Sequence, residues 1–287
     1  MLLSMLAVAL TAAPPSDDVV ASTRAWEERR LQSLRSDDGW LTLVGLGWLK
    51  EGTNTAGSDG RSAIAFPEGA PPSVGSFLRS GDRVSFQPAP GVTVSRNGQP
   101  FRGGPLKTDA QGDPDVLQVG RFRFHVIARG DDLGVRIKDP DSSARREFKG
   151  IPTYPPSARW RVLARWEPTT PPVEIAVPNV LGKVERMPSP GTAVFILDGK
   201  GYRLTPVLEE GSPDLFFVFG DETNRSETYG AGRFLYADPP KDGEVVLDFN
   251  RAYNPPCAFS AFATCPLPPK QNRLALRVDA GEKRPAR

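Results

Sequence analysis

Alternation of apolar and polar positions dominates this chain from about residue 62 onward. In VGRFRFHVIARG, Phe122, Phe124 and Val126 fall on one side and Arg121, Arg123 and His125 on the other, which predicts a half-buried strand. ARWRVLARWEP alternates in the same way and sets Trp160, Val162, Ala164 and Trp166 on one face. RVSFQ, VTVS, LGVRIKD, VEIAV, TAVFILDGKGYRLTPVLEE, DLFFVFG, EVVLDFN and LALRV add further strand signals, and Asn97-Gly98 and Asp198-Gly199 are tight reverse-turn dipeptides. Many short strands separated by Gly- and Pro-rich turns leave almost no room for crossover helices. The expected fold is therefore all-β, an antiparallel β-sandwich or distorted barrel.

One segment breaks that pattern towards a helix. RAWEERRLQSLRS, residues 24 to 36, spaces Trp26, Leu31 and Leu34 as a rough apolar stripe, with Ser22 or Thr23 as its cap, and predicts a short N-terminal helix. The stretch after it, GWLTLVGLGWLKEGTNTAGSDG, has its apolar clusters interrupted by Gly39, Gly45 and Gly47. Glycine weakens both regular elements, so a buried, glycine-bent segment anchored by Trp40 and Trp48 is expected there, packed rather than lining a pocket floor.

The opening MLLSMLAVALTAAPP has the length and small-residue ending of a signal peptide, although no Lys or Arg precedes it. Residues 1–20 are read as such a leader or as an ordinary disordered tail, and 21–287 as a single β-rich domain with a subdomain seam near 150–158. A secreted or periplasmic protein is expected. No later run reaches the length of a membrane-spanning helix. With 36 basic against 34 acidic residues and the charges interspersed, no field exists to hold a polyanion, which argues against nucleic acid as a partner. The 30 Pro and 28 Gly argue against long helices.

The chemistry the chain can carry is narrowed first by what it lacks. There is no phosphate loop, nucleophile elbow or zinc-binding signature, and no cofactor is implied. One His, His125, stands on the polar face of a strand, where a solvated or hydrogen-bonded role is the simpler reading. With a single His and two Cys, a metal site is not expected. In an exported chain Cys257 and Cys265 are read as a disulfide closing a short loop, with two buried free thiols as the alternative.

The polar residues concentrate between Phe219 and Lys283, in FVFGDETNRSETYGAGRFLYADPP and in the stretch from Leu247 onward. Asp221, Glu227 and Asp248 are the candidate catalytic carboxylates, since a pair of them could act as general acid and base. Arg233, Arg251 and Arg273 have the forked geometry that holds a carboxylate or phosphate, and Tyr236, Asn250, Tyr253 and Asn254 crowd the same segments as candidate ligand-binding residues. The same residue types also brace irregular loops, because buried polar groups there must be paired.

GWLTLVGLGWLKEGTNTAGSD, RREFKGIPTYP, PNVLGKVERMPSPG, ETYGAGRFLY, LDFNRAYNPPCAFSAFATCPLPPKQNRL and AGEK together resemble the bacterial and archaeal domain of unknown function 1684, over about residues 25 to 284. The resemblance implies no assigned activity, and a bacterial source is expected. It marks Arg146, Phe148, Gly150, Gly182, Lys183, Tyr229, Gly232, Arg233, Tyr236, Asn250, Tyr253, Asn254, Pro255, Cys257, Cys265, Pro266, Asn272 and Arg273 as characteristic, and so adds Arg146 and Lys183 to the candidate ligand-binding set. Three functions are compatible with these features. The first is an exported hydrolase acting on a small polar or carbohydrate substrate through carboxylate, Tyr and Arg side chains. The second is a non-catalytic module binding an anionic or sugar ligand, and the third is a structural, envelope-associated protein.

Overall fold

The computed structural model describes residues 16–286. The apolar run read as a signal peptide occupies residues 1–15 and lies outside the described residues. The first element, α1, is a 20-residue helix over Ser16–Arg35. It starts earlier than the apolar stripe indicated, with Asp17 and Asp18 in its first turn, where the helix dipole favours carboxylates, and Ser22 and Thr23 lie inside it rather than at its cap.

Strands follow in two runs. The first comprises β1 (Leu43–Trp48), β2 (Gly52–Gly57), β3 (Ile64–Ala65), β4 (Gly75–Ser80), β5 (Arg83–Pro88), β6 (Val94–Arg96), β7 (Gln99–Phe101), β8 (Gly104–Leu106), β9 (Leu117–Val119), β10 (Phe122–Arg129) and β11 (Asp132–Lys138). The second comprises β12 (Arg161–Pro178), β13 (Val184–Leu197), β14 (Lys200–Leu204), β15 (Val207–Leu208), β16 (Leu215–Phe219), β17 (Arg233–Ala237) and β18 (Glu244–Asp248). Apart from the short parallel pairing of β2 with β3, these strands pair antiparallel.

A six-stranded sheet in the order β1-β11-β10-β9-β6-β7 faces a five-stranded sheet in the order β3-β2-β4-β5-β8. Phe122, Phe124, Val126, Val135 and Ile137 from the first meet Phe77, Val84 and Phe86 from the second in one core. This is the sandwich the alternation required, with the face assigned to Phe122, Phe124 and Val126 turned inward. A second core joins the four-stranded sheet β14-β13-β12-β18 to the three-stranded sheet β15-β16-β17, and it contains Trp160, Val162, Ala164, Phe217, Phe219, Leu235 and Phe249. A third, smaller cluster sets Leu43 of β1 against Val177, Val207, Phe216, Val218, Phe234, Ala263 and Cys265. Residues from the two strand runs therefore share that cluster, and the cavity described below opens at its edge.

The glycine-interrupted segment is more regular than expected. Only Trp40–Thr42 is a short 3-10 turn, and β1 is a true strand. The missing side chains explain it: a Cβ on Gly45 would lie 3.2 Å from Ile137 and one on Gly47 would lie 2.8 Å from Ile64, so glycine lets β1 lie close over its neighbours.

Gly232 is the turn on which the second run depends. Its φ is +97°, and a Cβ there would lie 2.5 Å from Pro268 Cγ and 2.6 Å from the Phe219 carbonyl oxygen. Gly232→Ala is expected to lower stability by about 2–4 kcal/mol, through strain at positive φ and the clash together, as read from a shift in denaturation midpoint without a change in slope.

Candidate functional site

A cavity of about 420 Å³ lies where α1, the six-stranded sheet and the second run of strands converge. Its aromatic side comes from the period-two geometry of β17. Phe234 and Tyr236 point to the cavity, while Arg233 and Leu235 point away from it. Tyr236 stacks on Phe216 at 4.8 Å and 22°, and on Tyr253 at 6.3 Å and 14°. Arg30 of α1 lies over the Tyr253 ring at 4.6 Å. The hairpin of β12 and β13 supplies Val177, Asn179, Glu185 and Met187, and Glu209 accepts a hydrogen bond from the Tyr236 hydroxyl.

The opposite wall is cationic. Arg129, at the end of β10, and Arg136, in the middle of β11, both donate to the Thr264 hydroxyl, at 3.2 and 3.0 Å. Arg129 is also paired with Asp109 at 2.8 Å. Arg136 is only 8% exposed, lies over the Trp40 ring at 5.2 Å, and has no carboxylate partner among the described residues. Its Nε is buried without a hydrogen-bond partner. Burial, reinforced by the like charge of Arg129, pushes the Arg136 guanidinium down to about 10, so it stays charged at neutral pH. Burial pushes both tyrosines up, Tyr236 with added effects from Tyr253 and Glu209, so they act as neutral hydroxyls and ring faces rather than bases.

Several of the expected site residues serve as braces instead. Arg233 is fully buried; it donates to Asp221 at 2.8 Å and to the Val278 carbonyl at 2.9 Å, and it also meets the Ala280 carbonyl. Asp221 in turn accepts from the Thr223 backbone at 2.7 Å and from its hydroxyl. Asn254 donates to the Lys283 carbonyl at 2.8 Å. The Asn254 backbone donates to buried Glu282, which is held by Arg30 at 3.1 Å. Asn250 ties the Ser157 backbone to Asp248. Glu227 accepts from Arg277 and from Tyr154, which hold it below the usual carboxylate range. Arg146 is exposed and pairs with Asp141, Lys183 reaches Asp132, and Arg273 is exposed. The three candidate carboxylates are thus held by three different arginines, and none lines this cavity.

Cys257 and Cys265 are both free, which corrects the expected disulfide. Cys265 Sγ accepts the Cys257 backbone N–H at 3.1 Å, and both side chains fill the third apolar cluster as small hydrophobes. The Cys257 side chain together with burial pushes the Cys265 thiol up.

Two further cavities carry charged residues. One of about 230 Å³ shares Tyr236 and Tyr253 with the first and adds Trp26, Arg161, Asp248 and Arg251. Arg251 Nε is 3.5 Å from Asp248. The other, of about 520 Å³, is lined by Arg123, His125 and Lys138 on the polar face of the six-stranded sheet. There burial, followed by the charges of Lys138 and Arg136, pushes His125 down to about 4.

Of the candidate binding residues, only Tyr236 and Tyr253 line the 420 Å³ cavity, and Arg251 lines its neighbour. The residues that the sequence did not single out are Arg30, Trp40, Arg129, Arg136, Glu185, Glu209 and Thr264. One signal for Arg136 was present: in LGVRIKD it is a cation flanked on both sides by β-branched apolar residues, Val135 and Ile137.

A family model described as a protein of unknown function, DUF1684, matches residues 146–283. The N-terminal stretch that contributed to the resemblance falls outside that match. The chain is similar to an uncharacterised protein of Haloarcula marismortui, determined by solution NMR, with 33% identity and a TM-score of 0.41 over 48% of this chain and 78% of that one. That relative is archaeal rather than bacterial, and the expected bacterial source is not assigned to this chain. No curated protein matches the chain.

Two measurements follow from the buried charges. Arg233→Met should cost about 3–5 kcal/mol because it strands the Asp221 carboxylate, and combining it with Asp221→Asn should recover part of that loss in a double-mutant cycle. A simple additive loss would show that the pair does not act as a unit. Because His125 is the sole histidine, its NMR titration is unambiguous and should give a midpoint near 4 rather than 6.5. The unfolded chain binds the proton more tightly, so His125 should lower stability as pH falls from about 6.5 towards 4, an effect His125→Gln removes.

Proposed function

Because the chain belongs to the DUF1684 family of unknown function, its activity has to be read from its own side chains, and we propose that it is a binding protein for a small ligand that carries an anionic group beside a flat apolar ring. The observation that carries this reading is Arg136: a buried cation with no carboxylate partner and an unsatisfied Nε, on the wall of the 420 Å³ cavity. A buried charge left without a counterion costs several kcal/mol, and a ligand anion is the partner that offsets the cost. The rings of Phe216, Tyr236 and Tyr253 line the same cavity and supply apolar surface for a ligand ring.

The hydrolytic alternative requires two facing carboxylates at one site, and Asp221, Glu227 and Asp248 are each paired with a different arginine, Arg233, Arg277 and Arg251. Binding without chemistry is accordingly the reading the side chains favour. The apolar run at residues 1–15 supports placing this binding outside the cytoplasm, in the periplasm or the surrounding medium.

Trp40 reports on the site, since Arg136 lies over its ring. Titration of the full chain with 3-phenylpropanoate should change tryptophan fluorescence saturably, and Arg136→Met should weaken that binding by about tenfold or more. The same substitution should leave thermal stability unchanged or raise it, because it removes an uncompensated buried charge. Undiminished binding by Arg136→Met would refute the assignment.

A further inference from the structure

The charges on the cavity wall define more than an anion site. Arg30 is neutralised from behind by Glu282 at 3.1 Å, and Arg129 by Asp109 at 2.8 Å. Arg136 alone among the three has no carboxylate. On the opposite wall, Glu185 and Glu209 form no ion pair among the described residues: Glu185 accepts from the Asn179 amide at 3.3 Å, and Glu209 from the Tyr236 hydroxyl. The cavity therefore presents one buried cation without an ion-pair partner from the six-stranded sheet, and two carboxylates without one, exposed Glu185 of β13 and half-buried Glu209 beside the three-stranded sheet, together with the aromatic rings.

A simple anion answers only half of this arrangement. It would compensate Arg136 and at the same time lie in the field of half-buried Glu209 and, more weakly through solvent, of exposed Glu185, which works against it. A ligand with an ammonium group answers the other half, because each glutamate then gains a charge-assisted hydrogen bond. We propose, building on the anion-binding reading of this cavity, that its ligand is a zwitterion of the α-amino acid type with an apolar or aromatic side chain. Its carboxylate is held by Arg136 and the Thr264 hydroxyl, its ammonium by Glu185 and Glu209, and its side chain lies against Tyr236. Selectivity then comes from the pairing of both ends, since an analogue that lacks one charge leaves a wall group unpaired.

Phenylalanine and 3-phenylpropanoate differ only by the α-ammonium group, so they separate the two halves of the site. Calorimetric titration of the full chain is expected to show phenylalanine binding about tenfold or more tightly than 3-phenylpropanoate. N-acetylphenylalanine, which needs no variant protein, should be as weak as 3-phenylpropanoate. Glu209→Gln and Glu185→Gln should each shrink the preference for phenylalanine, and the double substitution should erase it, while Arg136→Met weakens both compounds. Equal or tighter binding of 3-phenylpropanoate, or a preference that survives the double substitution, overturns the zwitterion assignment and leaves the anion site standing. Absence of any Arg136-dependent binding of either compound overturns both.

Discussion

The second half of the molecule is organised around one buried ion pair, Arg233 with Asp221. Residues beyond Leu274 form no regular strand, so their carbonyl groups need donors from elsewhere, and a buried backbone acceptor left alone is costly. Arg233 supplies those donors to Val278 and Ala280 while Asp221 fixes its position. The positive φ of Gly232 brings the chain into β17 at that point. Once Arg233 is turned into the brace, the alternation of a strand turns Phe234 and Tyr236 to the other face, which is the cavity. A structural demand on one side of β17 thereby sets the aromatic surface on the other.

The cavity reverses the logic of the brace. Arg233 is buried and fully engaged with a carboxylate and carbonyls, apart from its Nε, whereas Arg136 is buried with a hydroxyl and a tryptophan ring as its company. The first arrangement contributes stability. The second costs stability, and such unfavourable placements are retained where a site needs its charge held in place before the ligand arrives.

The fold was legible because its strands are amphipathic. Phe122, Phe124 and Val126, and likewise Trp160, Val162 and Ala164, announce their core face by spacing alone, and the two Asn-Gly and Asp-Gly turns pin the hairpins. The site was legible only on its aromatic side, through Tyr236 and Tyr253. Its cationic wall was hidden by the same alternation rule that revealed the sheets: Arg129 and Arg136 occupy positions that read as solvent-facing, and only packing of the second strand run and α1 against that face encloses them. Density of polar residues along the chain pointed to Arg233, Asn250 and Asn254, which are dense because irregular backbone needs many donors. The two cysteines show the same limit, since spacing along a chain does not distinguish a bridge from two small apolar fillers.

The boundary of the family-matched segment divides the cavity itself. Tyr236, Tyr253, Glu185, Glu209 and Thr264 fall within residues 146–283, whereas Arg30, Trp40, Arg129 and Arg136 precede it. The shared segment carries the aromatic platform and the carboxylates, and the portion outside it carries every arginine of the wall. The charges around the cavity are thus split between the two portions, cations before residue 146 and carboxylates after it, so the cavity exists only where both portions are packed together.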